Sequence, residues 1–529
     1  MRPLFVAVFA AASLTALGAQ AQDWSAAAAQ DLPAIRDALR ENSPEVYVDK
    51  DSATFRSWLD AGLAQAQAQP LAKADNSAAY ADALRFYAVG FRDANIAVEP
   101  NWAPPPLAFA IAWPGFATKW QGGAYVVSFN DPSAKGLPPV GAKVISCDRT
   151  PIDTIAKQRL DRYEADLTTE SGRFESAPYL LWDRANTMLP ILPQKCDFDM
   201  GNGRKRTFNI TPQIGGEALR EQAYQISAPK ASGLGLEGFG SGGFWINLHS
   251  LSDQQNWTPF LTQIDQNAAA IRAAPVIVID LRGADGGSIR NGYRVIDRIW
   301  DPDFVASNNP PATNVVFRTS KANQDFYRAL ATRLGADPMT ATEGGMWGSL
   351  ADALAQAAAQ NQPTLARNES ATQSETPAAL APTIPTDENG KPLDAQAAAA
   401  AGAAPAAAAA PPPPAAAPKA PPPDNVRARV IVLTDYWCSG ACLNLLDVLT
   451  RFPGVQLAGT QTSADSIFIG GTTITLPSGH ARIAYGDKAW IDRPRGSNVP
   501  YTPVAGLTYT GDLGDNAAVK AWVAQIVGH

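Results

Sequence analysis

The stretch Pro275-Val276-Ile277-Val278-Ile279-Asp280-Leu281-Arg282-Gly283-Ala284-Asp285-Gly286-Gly287 decides the fold class of this chain. Its first half is an unbroken apolar run. A strand with one wet face alternates apolar and polar side chains, so a continuous run reads as a strand buried on both faces. A helical pattern from about 258 to 273 precedes it, which sets the strand in an α/β layer. A second strand of the same kind, Ala428-Arg429-Val430-Ile431-Val432-Leu433-Thr434, follows only after a long interruption. From about 351 to 424 the composition collapses to Ala and Pro, most purely at 397–401 and 411–414. A segment so poor in large apolar side chains cannot offset the entropy of ordering, so residues 351–424 read as a disordered or polyproline insertion. The two strands then belong to one discontinuous domain, 215–350 and 425–529.

Upstream, the pattern changes twice. Arg2, an apolar stretch over 4–17 and then Ala19-Gln20-Ala21 read as a secretory signal over 1–21, cleaved to leave Gln22. The apolar stretch is shorter than the ~20 residues a spanning helix needs. A soluble mature chain, periplasmic or secreted and without a membrane span, is therefore expected. Over 22–104, Leu32, Ile35, Leu39 and then Phe55, Trp58, Leu59, Leu63 recur at helical spacing, giving an N-terminal helical module. From 105 to 214 strand-like runs take over, at 123–128 and 142–146. A hairpin signal, Asp199-Met200-Gly201-Asn202-Gly203, closes this β-rich domain.

Composition excludes some functions. With 43 Lys+Arg against 50 Asp+Glu, a net charge of −7 and no basic blocks, nucleic acid is not an expected partner. Only three His (His249, His480, His529) and no Cys-x-x-Cys spacing argue against a metal site. Four cysteines in an exported chain normally pair.

Three pieces together resemble the C-terminal-processing (tail-specific) serine peptidases. The first is Asp131-Pro132-Ser133-Ala134 followed by Gly136-Leu137-Pro138-Pro139-Val140-Gly141-Ala142-Lys143-Val144-Ile145, similar to the carboxylate-loop-and-strand segment of that family's PDZ domain, with Gly141-Ala142 for the usual Gly-Asp. The second, Asp280-Leu281-Arg282-Gly283-Ala284-Asp285-Gly286-Gly287, resembles the family's Asp-Leu-Arg-x-Asn-x-Gly-Gly turn. The third is Val432-Leu433-Thr434-Asp435-Tyr436-Trp437-Cys438-Ser439-Gly440-Ala441-Cys442-Leu443, then a helical 445–449 and Gly459-Thr460-Gln461-Thr462-Ser463-Ala464-Asp465. It has the order and spacing of the nucleophile turn and base segment. The resemblance implies an α/β, crotonase-like peptidase core with the helical module and a PDZ-like β domain, acting on polypeptide without a cofactor.

At the chemical positions the residues differ. Gly440 stands where the family has its nucleophilic Ser, with Ser439 one place earlier, and Asp465 stands where the family has its Lys base. Ser439 is either the nucleophile, presented by a one-residue shift of the turn, or an ordinary helix N-cap. Asp465 could act as base if burial raised its pKa, and Lys488 is the other base on offer. Gly286, Gly287 and the backbone at Gly440 and Ala441 are the candidate oxyanion donors. His249 and His480 read as structural. Cys147 and Cys196 fall on neighbouring strands of the β-rich domain and are expected to pair, which leaves Cys438 with Cys442. Two functions follow: an exported serine-type peptidase cleaving peptides or protein C-termini, or an inactive pseudo-peptidase that binds extended peptides.

Overall fold

The computed structural model describes residues 22–68, 74–100, 111–183, 189–201, 203–215, 219, 222–223, 225–226, 233–252, 256–336, 341–369 and 423–528. The expected signal segment, 1–21, lies outside them.

The chain begins with three helices, α1 (Trp24–Asn42), α2 (Ala53–Ala68) and α3 (Ser77–Val89). Asp23 caps the first by accepting from the Ala26 amide at 2.9 Å, and Asn76 caps the third through Ala79 at 2.9 Å. Leu32, Ile35, Leu39, Phe55, Trp58, Leu59 and Leu63 are all buried in one cluster, as their spacing requires. That cluster also takes in Leu476, Ile483 and Tyr485 from near the other end of the chain. The helices are therefore not a free-standing module. The strand that follows them, β1 (Ala97–Pro100), is committed to the same distant partner.

The β-rich domain contains β2 (Ile111–Trp113), β3 (Phe116–Gln121), β4 (Ala124–Asn130), β5 (Lys143–Cys147), β6 (Thr150–Pro151), the helices α4 (Ile152–Arg159) and α5 (Glu170–Ser176), β7 (Lys195–Asp199), β8 (Lys205–Asn209) and β9 (Gln213–Gly215). Its main sheet runs β3-β4-β5-β7-β8, with β6 paired to β5, while β2 pairs with β9. Cys147 faces Cys196 across β5 and β7, and the two form a disulfide. Tyr436, far along the chain, completes this domain's core beside Phe198 and Val144.

The α/β layer follows with β10 (Leu234–Phe239), β11 (Gly243–Leu248), α6 (Trp257–Ala273), β12 (Val276–Asp280), α7 (Ile289–Ile299) and α8 (Pro302–Asn308). Next come β13 (Thr313–Arg318), α9 (Lys321–Gly335), α10 (Ala341–Ala359) and β14 (Thr364–Glu369). The layer resumes with β15 (Arg429–Thr434), α11 (Ala441–Leu449) and β16 (Val455–Gly459). The chain ends with β17 (Phe468–Ile469), β18 (Thr472–Thr475), β19 (Ala481–Tyr485), β20 (Lys488–Trp490) and α12 (Asn516–Val527).

The central sheet is β10-β11-β12-β15-β16, parallel from β11 to β16. Both of its faces are covered. Ile277, Ile279, Val430 and Val432 pack under α6, α7 and α11. Val278, Ile431 and Leu433 pack with Trp245 against Val519 and Val523 of α12. Burial on both faces is what makes the runs of β12 and β15 continuous. A second sheet, β14-β13-β20-β17, is backed by α9 and α10, and a third, β1-β19-β18, joins the helical module.

One boundary needs correction. Composition places the start of the Ala/Pro insertion at 351, yet residues 351–369 are folded: α10 runs on to Ala359 and β14 pairs antiparallel with β13. Ala351, Leu354 and Ala357 lie buried at helical spacing, so alanines here serve close packing rather than marking a chain without a core. Residues 370–422 of the insertion lie outside those described.

Candidate active site

The C-terminal ends of parallel strands gather the loops in which α/β layers place their chemistry. Here three such loops interlock. After β12, the turn at Gly283 donates its amide to both carboxylate oxygens of Asp435, at 3.0 and 3.1 Å, and Asp435 also accepts from the Trp437 amide at 3.0 Å. Burial pushes the Asp435 carboxyl up to about 6, against the pull of those amides. The Ser439 amide donates to the Ala284 carbonyl at 3.2 Å, and the Ser463 amide, from the loop after β16, donates to the Cys438 carbonyl at 3.2 Å. The Cys438–Cys442 disulfide closes the turn around Ser439.

Ser439 therefore sits on a strand-to-helix turn fixed from two sides. It is half-exposed, and its hydroxyl makes no hydrogen bond among the described residues. The N-cap reading fails: α11 is capped by Gly440, with no side-chain cap. Gly440 has φ of +51°, in the left-handed region that an L side chain enters only with strain. The glycine is what lets the turn reverse directly after Ser439.

The four candidate oxyanion positions divide. Gly440 and Ala441 open α11, where first-turn amides lack a carbonyl partner in the helix and carry the positive end of its dipole. Gly286 is half-exposed, and its Cα lies 3.6 Å from where a Gly440 Cβ would stand, so the two backbones face each other. Gly287 is buried and bridges to Leu251, with its ideal Cβ position only 2.2 Å from the Leu251 carbonyl carbon. It holds the turn against its neighbour.

Neither expected base joins Ser439. Asp465 lies in the loop after β16 but is gripped by two guanidiniums, Arg493 at 3.1 Å and Arg495 at 2.9 Å, and Arg495 also pairs with Asp447. Lys488 is fully buried on β20, in the second sheet. Its ammonium stands 5.7 Å from the ring centre of Phe317, 6.0 Å from Tyr327 and 5.6 Å from Trp347. It is a neighbouring positive charge for Asp487 and, together with Arg367, for Glu369; burial raises both carboxyls and Lys488 lowers them in part. His249 and His480 make their contacts with groups other than Ser439. His249 Nε2 lies 3.1 Å from Asp280, whose carboxyl is buried yet held well below its ordinary range by Arg282 and His249. His480 packs at a tilt against Trp24 and edge-on to Tyr80. Among the described residues no group of three or more His, Cys, Asp or Glu is placed to hold a metal, and no helix is long and apolar enough to cross a membrane.

Ser439 opens into a cavity of about 590 Å³ where the three parts of the molecule meet. The core supplies Ser439, Ser463, Ala464 and Asn498, the helical part Arg92, Asp93 and Val98, and the β-rich domain Asp166, Thr169 and Glu175. Asp93, buried and raised to about 6 by that burial, accepts from the Ser466 hydroxyl at 2.6 Å and the Asn95 amide at 2.8 Å. Glu175 is an exposed residue that lines the cavity, and partial desolvation against its wall raises its carboxyl to about 7. Neither residue lies in a motif, so the sequence does not mark either as part of a site. The only local signal is the Asp93-Ala94-Asn95 turn, in which a carboxylate bonds an amide two residues on.

No protein-family model and no curated protein sequence matches the chain. Among solved structures, mature CPAF is similar at a TM-score of 0.55 and 12% identity, over 96% of this chain and 98% of that one. Mature CPAF complexed with lactacystin gives 0.56 at 12%, over 96% and 99%. The photosystem II D1 C-terminal processing protease covers 95% of this chain and 97% of its own at 12% identity, but its TM-score of 0.32 has no weight for the fold. The likeness to CPAF shows a shared mixed α/β fold across nearly the whole chain.

Proposed function

We propose that this chain is an exported serine-type peptidase of the C-terminal-processing kind, with a crotonase-like core, a PDZ-like β domain that receives extended polypeptide, and Ser439 as nucleophile. One observation carries this reading: the unbonded, half-exposed Ser439 hydroxyl on a disulfide-closed strand-to-helix turn that opens into the 590 Å³ cavity. In such a step the Ser439 Oγ adds to a peptide carbonyl carbon. The amides that open α11, with Gly286 opposite, receive the negative oxygen. Likeness to CPAF over 96% of the chain supports the reading, since it spans the helical and β-rich parts as well as the core. The two disulfides accord with an oxidising compartment outside the cytoplasm.

The pseudo-peptidase reading is favoured by a different observation. Asp465 and Lys488, the two bases offered by sequence, are engaged elsewhere. Hydrolysis of an unstructured peptide mixture by wild type and by Ser439→Ala, with peptide affinity measured alongside, separates the two. The peptidase reading expects turnover that Ser439→Ala abolishes while affinity remains. Binding without turnover in wild type would establish the pseudo-peptidase.

A further inference from the structure

The reading of Ser439 as nucleophile leaves its hydroxyl without a base, and the cavity holds a carboxylate without a partner. We infer that Glu175 is the proton acceptor for Ser439, a catalytic residue acting directly or through one water. This rests on the proposed peptidase reading and extends it.

Four carboxylates line the cavity. Three are committed: Asp93 to Ser466 and the Asn95 amide, Glu164 to Arg85 at 3.8 Å, and Asp166 to Arg92 and the Thr168 amide. Glu175 alone has neither an ion pair nor a hydrogen bond among the described residues.

Its position is tied to the nucleophile turn. Phe174, the residue before it on α5, packs on Tyr436 at 5.1 Å and on Trp437 at 6.3 Å between ring centroids. Those two residues lead directly into Cys438 and Ser439. The helix itself is pinned at its start, where Thr169 accepts from the Gly172 amide at 3.0 Å, and at its end, where Ser176 donates to the Gly172 carbonyl at 2.6 Å. Thus α5, which carries Glu175, and the turn after β15, which carries Ser439, are packed together and both line the cavity.

The cavity also gives this carboxylate a suitable basicity. A base works best with a pKa near the working pH, and Glu175 is raised to about 7 by desolvation, with no cation to hold it down. The charged groups sharing the cavity are Arg85, Arg92, Asp93, Glu164 and Asp166, and both arginines are paired within it.

The step balances. As the Ser439 Oγ–carbon bond forms, the Oγ proton passes to Glu175 and the carbonyl π pair moves onto oxygen. When that pair returns, the carbon–nitrogen bond breaks and protonated Glu175 gives its proton to the leaving amine. Water then attacks the acyl carbon, Glu175 takes its proton, and Ser439 leaves with that proton restored.

The test is the rate at which a fluorophosphonate phosphonylates Ser439, measured against pH. Here the Oγ–phosphorus bond forms, fluoride leaves, and the proton goes to the base. In wild type the rate is expected to rise through an inflection near pH 7, matching the Glu175 value of about 7. Glu175→Gln should lower the rate about 10²-fold or more and remove the inflection, while Glu175→Asp restores part of it. Asp93→Asn should keep the inflection. Far-UV circular dichroism matching wild type establishes that Glu175→Gln is folded. Wild-type labelling with Glu175→Gln indistinguishable in rate and profile would overturn the inference alone. A wild type that never labels at Ser439 would overturn the peptidase reading, and this inference with it.

Discussion

The two disulfides are expected to separate stability from reactivity when each is replaced by a pair of alanines. Cys147–Cys196 closes a sequence separation of 49, and Cys438–Cys442 one of 4. Chain entropy removed from the unfolded state scales with the logarithm of that length, giving about 4 kcal/mol for the long bridge and about 2 kcal/mol for the short one. The long bridge joins β5 and β7, which are also joined by a strand ladder, and neither of its cysteines lines the Ser439 cavity. The short bridge encloses Ser439, Gly440 and Ala441. Without it the turn keeps only backbone bonds, such as Cys442 to the Ser439 carbonyl at 3.0 Å and Ser439 to the Ala284 carbonyl at 3.2 Å. Displacing a reacting group by an ångström can cost roughly 10²-fold in rate. Urea denaturation followed by tryptophan fluorescence should therefore find the Cys147/Cys196 variant the less stable. Fluorophosphonate labelling should find the Cys438/Cys442 variant slower by tenfold or more on the same scale. A short-bridge variant that labels at the wild-type rate, or that loses more stability than the long-bridge variant, would show that the short bridge does not hold the Ser439 turn.

Gly287→Ala is expected to cost roughly 3 kcal/mol or more in thermal denaturation, because φ is +99° and the new Cβ meets Leu251 backbone at 2.2 Å. Gly440→Ala should cost only the conformational strain of roughly 1–2 kcal/mol, its nearest neighbour being 3.6 Å away, so equal losses would contradict the geometry. Lys488→Ala should lower stability by roughly 3–5 kcal/mol, since it leaves Asp487 buried beside no cation. Labelling of Ser439 per folded molecule should be unchanged in that variant, and a selective loss would return Lys488 to the chemistry. The Asp93 carboxyl is raised from 3.8 to about 6, so the native state binds more protons than the unfolded chain between those values, and stability falls as pH rises through that window. Asp93→Asn should flatten that fall, by about 2 kcal/mol between pH 4 and pH 6.5, and an unchanged slope in urea titrations would show that Asp93 does not titrate there.

What the sequence disclosed was local or paired within a motif. The apolar runs of β12 and β15 announced two covered faces, the glycine turn and the Ser439 turn lie side by side, and both cysteine pairings are present. What it concealed depends on contacts distant in sequence. Nothing in the helical pattern of residues 22–97 shows that Leu32 and Tyr87 share a core with Ile483. An alanine-rich composition conceals α10 and β14, because the partner that justifies them, β13, lies on the other side of two helices. Spacing alone placed Asp465 and Lys488 near the chemistry. It could not register the two arginines on Asp465 or the aromatic rings around Lys488. Glu175 is one acidic residue among many until Phe174 is seen against Tyr436.

The most direct test of Ser439 as a nucleophile is to treat the purified protein with a fluorophosphonate, digest it and locate the adduct by mass spectrometry. One adduct is expected, on the peptide containing Ser439 and absent from Ser439→Ala. An unmodified Ser439, or an adduct on another residue that persists in Ser439→Ala, would contradict it.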